Sequence, residues 1–173
     1  MSIRSRDDFS ELYRAQYDDV LRFVRRRAPA ATVDDIVGET FLAAWRRRHE
    51  LPEDARPWLF GTARNAILNA ARGENRQQAL AVRIGTLATE ERADPSINDR
   101  LDLESAWKCL PLGEQEALAL HVWEDLPQAD AAQVLGCSRA AYAMRLTRAK
   151  RRLAALLAAT EPSLLSGTAE RTL

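Results

Sequence analysis

Apolar residues recur at intervals of three and four through most of this 173-residue chain. Phe9, Leu12, Tyr13, Tyr17, Val20, Leu21 and Val24 form one such stripe, which predicts a helix from about Asp7 to Arg27, closed by Pro29. Thr32 and Asp35 have the spacing of a capping box, with Asp in place of the usual Glu or Gln, and predict the start of a second helix. Its stripe is Ile36, Val37, Thr40, Phe41, Ala44 and Trp45, ending near Arg48. Beyond the loop HELPEDA a third helix is predicted from about Arg56, with Pro57 in the first turn, where a missing N–H is harmless. Trp58, Leu59, Ala63, Ile67 and Ala70 form its apolar side. Three amphipathic helices with short loops predict a compact helical domain over residues 1–72.

The pattern weakens from 73 to 96, where polar residues and a turn-forming ADPS segment predict a linker. Periodicity returns with Leu101, Trp107 and Leu110 on a helix closed by Pro111, then with Ala117, Leu118, Leu120, Val122 and Trp123 on the next. In LPQADAAQVLGCSRAAYAMRL, a short helix from Gln128 to Leu135 meets Gly136, and a new helix starts at Ser138. Glycine suits the left-handed position that ends a helix, and serine suits the cap that begins one. Two helices across so short a turn predict a helix-turn-helix within a second domain over 97–156, followed by a tail over 157–173. The expected fold class is all-α: two small helical domains joined by a linker, the second containing the helix-turn-helix.

Charge sharpens this picture. The chain is formally neutral, with 25 basic and 25 acidic residues, but the balance is uneven along it. Residues 101–137 carry seven acids (Asp102, Glu104, Glu114, Glu116, Glu124, Asp125 and Asp130) against the single base Lys108. The next sixteen residues carry six bases and no acid, and they fall on the second helix of the helix-turn-helix. A basic stripe there is the footprint of a surface that meets phosphates. The alternative is a basic, solvated amphipathic helix without a DNA partner. On the helical wheel Tyr142, Leu146, Ala149 and Leu153 point inward. Ala143, Met144, Thr147 and Arg148 point away, and Arg139, Lys150 and Arg151 flank them.

Other chemistry is scarce. Cys109 and Cys137, with only His49 and His121 besides, give neither a disulfide framework nor zinc-ligand spacing. No nucleophile–base pair or phosphate-cradling glycine loop stands out, so neither an enzyme nor a cofactor is expected. No apolar run approaches the roughly 20 residues that span a bilayer. The N-terminal MSIRSRDDF lacks the apolar core of a signal peptide, so no membrane insertion and a cytoplasmic location are expected.

The segments FSELYRAQYDDVLRFVRRR, VDDIVGETFLAAWRRR, RPWLFGTARNAILNAAR and LPLGEQEALALHVWEDLPQADAAQVLGCSRAAYAMRLTRAKRRL follow one another over residues 9–153. In this order they resemble the extracytoplasmic-function (ECF) group of bacterial RNA polymerase sigma factors. The resemblance implies one domain for the polymerase clamp and the minus-ten promoter element, and another for the minus-thirty-five element. It implies that the second helix docks on a coiled coil of core RNA polymerase, using Asp34, Asp35 and Glu39 beside an apolar ridge of Phe41 and Trp45. The alternatives are complementation of the helix dipole by the acids and core packing by the aromatics.

For the minus-ten element the resemblance points to the loop from His49 to Asp54, including Glu50, as a base pocket, and to Asn65 as a strand contact. Arg46, Arg47, Arg48, Arg56 and Arg64 are candidate phosphate partners. Trp58 is read as core rather than as a stacking platform. For the minus-thirty-five element the candidates are Ser138, Arg139, Ala143, Met144, Thr147, Arg148, Lys150 and Arg151. The implied partners are promoter DNA, core polymerase and an anti-sigma factor that holds the two domains inactive until a signal arrives. The tail is expected to hold no further sensory domain.

The chain departs from the family pattern at three places. Gly38 replaces the usual Gln of the clamp helix, Pro127 replaces a Ser cap, and AAYAM leaves Ala143 without the usual basic side chain. A stand-alone helix-turn-helix repressor or activator is the rival reading, and VDDIVGETFLAAW speaks against it, since a repressor needs no acidic–aromatic clamp ridge.

Overall fold

A computed structural model of the chain describes residues 5–70 and 97–160. The linker expected over 73–96 and the tail from 161 onward lie outside the described residues. Among those described, every regular element is helical: α1 (Arg6–Arg25), α2 (Val33–Arg46), α3 (Arg56–Ala70), α4 (Ile97–Lys108), α5 (Leu112–Val122), α6 (Gln128–Leu135) and α7 (Arg139–Thr160). A short 3-10 turn, Ala30–Thr32, precedes α2.

The capping box sits at the start of α1 and not where the sequence suggested it. Ser5 Oγ accepts the Asp8 N–H, and Asp8 Oδ2 accepts the Ser5 N–H, both at 3.0 Å. Thr32 makes no such cap. The preceding 3-10 turn has already wound the chain, so the Thr32 hydroxyl donates back to the Pro29 carbonyl at 3.0 Å. At α3 the neighbouring acid does the work: Asp54 Oδ1 accepts the backbone N–H of Arg56 at 3.0 Å.

The helices α1 to α3 pack around Val20, Phe23, Val24, Ile36, Leu59, Phe60 and Ala63. Phe23 and Phe60 stack with centroids 4.7 Å apart, which joins α1 to α3 at the centre. Phe60 and Ala66 lie off the apolar side expected for α3, yet both are buried. The reason is tertiary: α3 is covered by α1 and α2 on one side and by α6 on another. Gly61 faces α6, with the Val134 Cα 3.9 Å from where a β-carbon would stand, an ordinary contact distance. Gly38, in contrast, faces open space with nothing within 4 Å of such a β-carbon. Gly38→Ala should therefore raise stability by about 1 kcal/mol, the helix-propensity difference alone, read as a higher denaturant midpoint with unchanged slope.

In the second cluster the turn between α4 and α5 is closed by Gln115, whose Nε2 donates to the carbonyls of Trp107 (3.1 Å) and Leu110 (3.0 Å). Trp107 and Trp123 pack at 5.2 Å. Val122, read from sequence as part of the apolar side of α5, is 62% exposed, because the helix ends there and the chain turns through Asp125, whose φ is 47°. Helix α7 continues to Thr160, past the boundary at 156 placed from sequence.

Among the described residues Tyr142 is the largest fully buried side chain. Its hydroxyl donates to the Ala117 carbonyl at 3.1 Å, and burial, with a smaller push from Cys137, raises its phenol to about 12. The native state thus keeps a proton that the unfolded chain releases near pH ~10. This stabilisation is complete below that pH and is lost as pH rises through about 12. Tyr142→Phe should cost about 1 kcal/mol at neutral pH and flatten the alkaline fall in stability, as measured by unfolding at a series of pH values.

Candidate functional site

The helix-turn-helix is built from local signals that all act in the same direction. Gly136 takes the left-handed conformation, φ 65° and ψ 36°, at the end of α6. Two residues on, Ser138 Oγ accepts the Ala141 N–H at 3.1 Å and caps α7. Tyr142, Leu146 and Ala149 are buried and Leu153 packs partly against the core, which fixes the rotation of α7 about its axis. The opposite face is open. Ser138, Arg139, Thr147, Arg148, Lys150 and Arg151 are exposed, Ala143 is half-buried, and Met144 is 61% exposed. Lys150 Nζ stands 2.9 Å from His121 Nε2, which steadies it at the edge of this face. Pro127 begins α6 without a side-chain cap.

The second candidate surface is α2. Asp34, Asp35, Gly38, Glu39 and Leu42 are exposed along one side, and Leu42 is 47% exposed. Phe41 is not part of this surface: it is 5% exposed, covered by the α1 rings of Tyr13 at 4.7 Å and Tyr17 at 6.2 Å. Trp45 is half-buried, edge-on to Phe9 at 5.0 Å, with the Arg48 guanidinium 4.4 Å above its ring. The apolar side chain exposed on this side of α2 is therefore Leu42, which sequence reasoning passed over. Leu42 lies off the main stripe of α2, which was the available signal.

The residues marked for the minus-ten element separate into two groups. Arg46, Arg47, His49, Glu50, Asp54 and Asn65 are exposed around the end of α2 and the side of α3. Arg56 and Arg64 instead turn toward the second cluster. Arg56 Nε donates to Asp19 Oδ2 at 2.8 Å, and its Nη1 donates to the Glu124 carbonyl at 2.7 Å. Arg64 grips Glu116 with two hydrogen bonds of 2.7 and 3.1 Å. Trp58 is half-buried against the core.

Two family models cover these surfaces: sigma-70 region 2 matches residues 12–77 and sigma-70 region 4 matches residues 100–153. The ECF RNA polymerase sigma factor SigC of Mycobacterium tuberculosis is 31% identical over 158 residues, 89% of this chain and 84% of that protein. This chain belongs to the ECF sigma factor family. The ECF sigma factor SigM of Bacillus subtilis is 28% identical over 84% of this chain and 93% of its own. The solved structure of CnrH in complex with the cytosolic domain of CnrY superposes with a TM-score of 0.64, at 26% identity and over 90% of each chain. The sigma factor RpoE, solved with the anti-sigma factor NepR from Bartonella quintana, shares the fold with a TM-score of 0.62 at 23% identity.

Membership of this family makes the protein a transcription-initiation factor rather than an enzyme. As a sigma factor, it carries in α1 to α3 the elements of region 2, and in α4 to α7 those of region 4. Among the described residues no helix is long and apolar enough to cross a membrane.

Proposed function

We propose that this sigma factor docks on core RNA polymerase through the exposed stripe of α2, and that it reads promoters with two separate surfaces. Asp34, Asp35 and Glu39 offer carboxylates to a basic partner, and Leu42, with Trp45 at the edge, supplies apolar contact at the centre. Phe41 supports this face from beneath. The end of α2 and the exposed turn after it, with Arg46, Arg47, His49, Glu50 and Asp54, take the minus-ten strand together with Asn65 on α3, joined by Arg48, Arg56 and Arg64. The open face of α7 enters the major groove of the minus-thirty-five element.

The observation that carries this reading is the α2 stripe itself. Leu42 is 47% exposed amid carboxylates on a helix that otherwise packs tightly, which suits a polar-rimmed docking face and which a stand-alone DNA-binding repressor has no use for. Co-elution of the purified chain with core polymerase on gel filtration tests it; separate elution at micromolar concentrations of both would count against it.

Recognition at the upstream element gives a sharper expectation. Arg148 is exposed at the centre of the α7 face and Lys150 at its edge, beside His121. Arg148→Ala should relax discrimination at one or two upstream positions by about 1–3 kcal/mol each. Lys150→Ala should weaken every promoter alike and lower the salt slope by about one. Transcription from a promoter library with both variants separates base reading from phosphate contact.

An anti-sigma factor is proposed as the restraining partner, in line with the RpoE relative solved with one.

A further inference from the structure

The open face of α7 divides into an apolar half and a basic half. Tyr142 is fully buried and sets the rotation of the helix, so residues about half a turn away from it face outward. Over the first turns these are Ala140, Met144 and Thr147, all exposed, with the half-buried Ala143 beside them. Met144 is 61% exposed, although it is a large apolar side chain. The Thr147 hydroxyl donates to the Ala143 carbonyl at 2.9 Å, so it keeps no proton for a base. Further along, Arg148, Lys150 and Arg151 are exposed, and Arg139 is exposed at the start of the helix. No acid occurs anywhere on α7. An apolar strip is thus framed by cations at both ends.

We infer that Met144, helped by Ala140, Ala143 and the methyl group of Thr147, reads thymine 5-methyl groups in the major groove of the upstream element. This rests on α7 entering that groove, as proposed above. The N-terminal residues of a recognition helix are the ones that reach base edges. Apart from Arg139 at the edge, the side chains of this strip have no hydrogen-bond donor to offer. What they can distinguish is the one apolar group that the major groove presents, the methyl of thymine. An unbranched, polarizable thioether adapts its shape to such a contact and leaves no polar atom stranded by it. The four flanking cations select DNA over a protein as the occupant, because they stand where phosphates on either side of the groove would meet them.

The test compares thymine with uracil, which pair alike and differ only in the 5-methyl group. Random duplex libraries made with one or the other are selected on the immobilised full chain, with and without core polymerase. In the thymine library, one or two positions of the recovered sites should converge on thymine. In the uracil library those positions should lose their preference while guanine preferences remain. On a recovered duplex, uracil at such a position should weaken binding about fourfold, the effect of losing one buried methyl group. Met144→Ala should weaken binding to the thymine duplex by a similar factor and show little further loss with uracil. A general change in the shape of the duplex would not produce that coupling. Met144→Leu, apolar and similar in volume, should keep the uracil penalty. Met144 is exposed, so both variants should fold as the native chain does.

An equal uracil penalty in the native and Met144→Ala chains, or convergence that ignores the methyl group, overturns the proposal and assigns the strip to a protein contact. Recovery of no defined site from either library overturns the groove reading as well. Methyl-dependent sites recovered by a chain that fails to retain polymerase uphold the proposal and contradict only the polymerase docking above.

Discussion

Asp35→Arg combined with Leu42→Asp should lower affinity for core RNA polymerase about a hundredfold, or about 2.7 kcal/mol, with only a small fall in the thermal midpoint from loss of a first-turn acid of α2. Both positions are exposed, so neither substitution opens a cavity or strands a buried charge. Their effect should fall mainly on the complex. Reversing one charge at a docking face sets like against like, and a carboxylate at an apolar anchor must be desolvated without a partner. Phe41→Ala is a poor probe of the same surface. Phe41 is buried beneath Tyr13 and Tyr17, and truncating it would cost about 3–5 kcal/mol of fold. Equilibrium binding of labelled core polymerase, with unfolding curves of the same preparations, checks both halves of the expectation.

The second large effect is on stability. Phe60→Ala should destabilise the protein by about 3–5 kcal/mol, a large share of the roughly 5–15 kcal/mol that holds a domain folded. Phe60 is fully buried and stacks on Phe23 at an interplanar angle of 10°. The Arg56 guanidinium lies 5.1 Å from its ring. Removing the ring leaves a void between α1 and α3 that the stacked Phe23 cannot fill. Phe60→Leu, which keeps most of the volume, should lose much less. Denaturant unfolding of the two variants measures the difference.

What the sequence made legible was local. Gly136 and Ser138 announce the turn of the helix-turn-helix, because a left-handed residue and an N-cap each draw on a property of one side chain. The inward row of Tyr142, Leu146, Ala149 and Leu153 follows from helical period alone. What stayed hidden depended on distant partners. The burial of Phe60 and Ala66 requires α3 to be covered on two sides, and no periodicity within α3 reveals that. From sequence Phe41 is expected as a docking anchor, with core packing as the alternative, and only the rings of Tyr13 and Tyr17 over it show that it is buried.

The acids of residues 101–137 are the clearest case. Their excess was plain, but Glu116 pairs with Arg64 across 52 positions and Glu124 with Arg26 across 98, and sequence gives no register for such pairs. Thr32 failed for a different reason: a 3-10 turn took up its hydroxyl before α2 began.

The central claim is that this chain gives polymerase its promoters, and transcription from sheared genomic DNA of the source bacterium by purified core polymerase, with and without the chain, tests it most directly. With the chain added, sequenced transcript 5′ ends should gather at a small set of sites that share two upstream elements, and the Asp35→Arg, Leu42→Asp variant should abolish them. If instead the folded native chain binds discrete duplex sites on its own, forms no complex with core polymerase and yields the same transcripts as core alone, the claim is contradicted, and the helix-turn-helix belongs to a stand-alone repressor or activator.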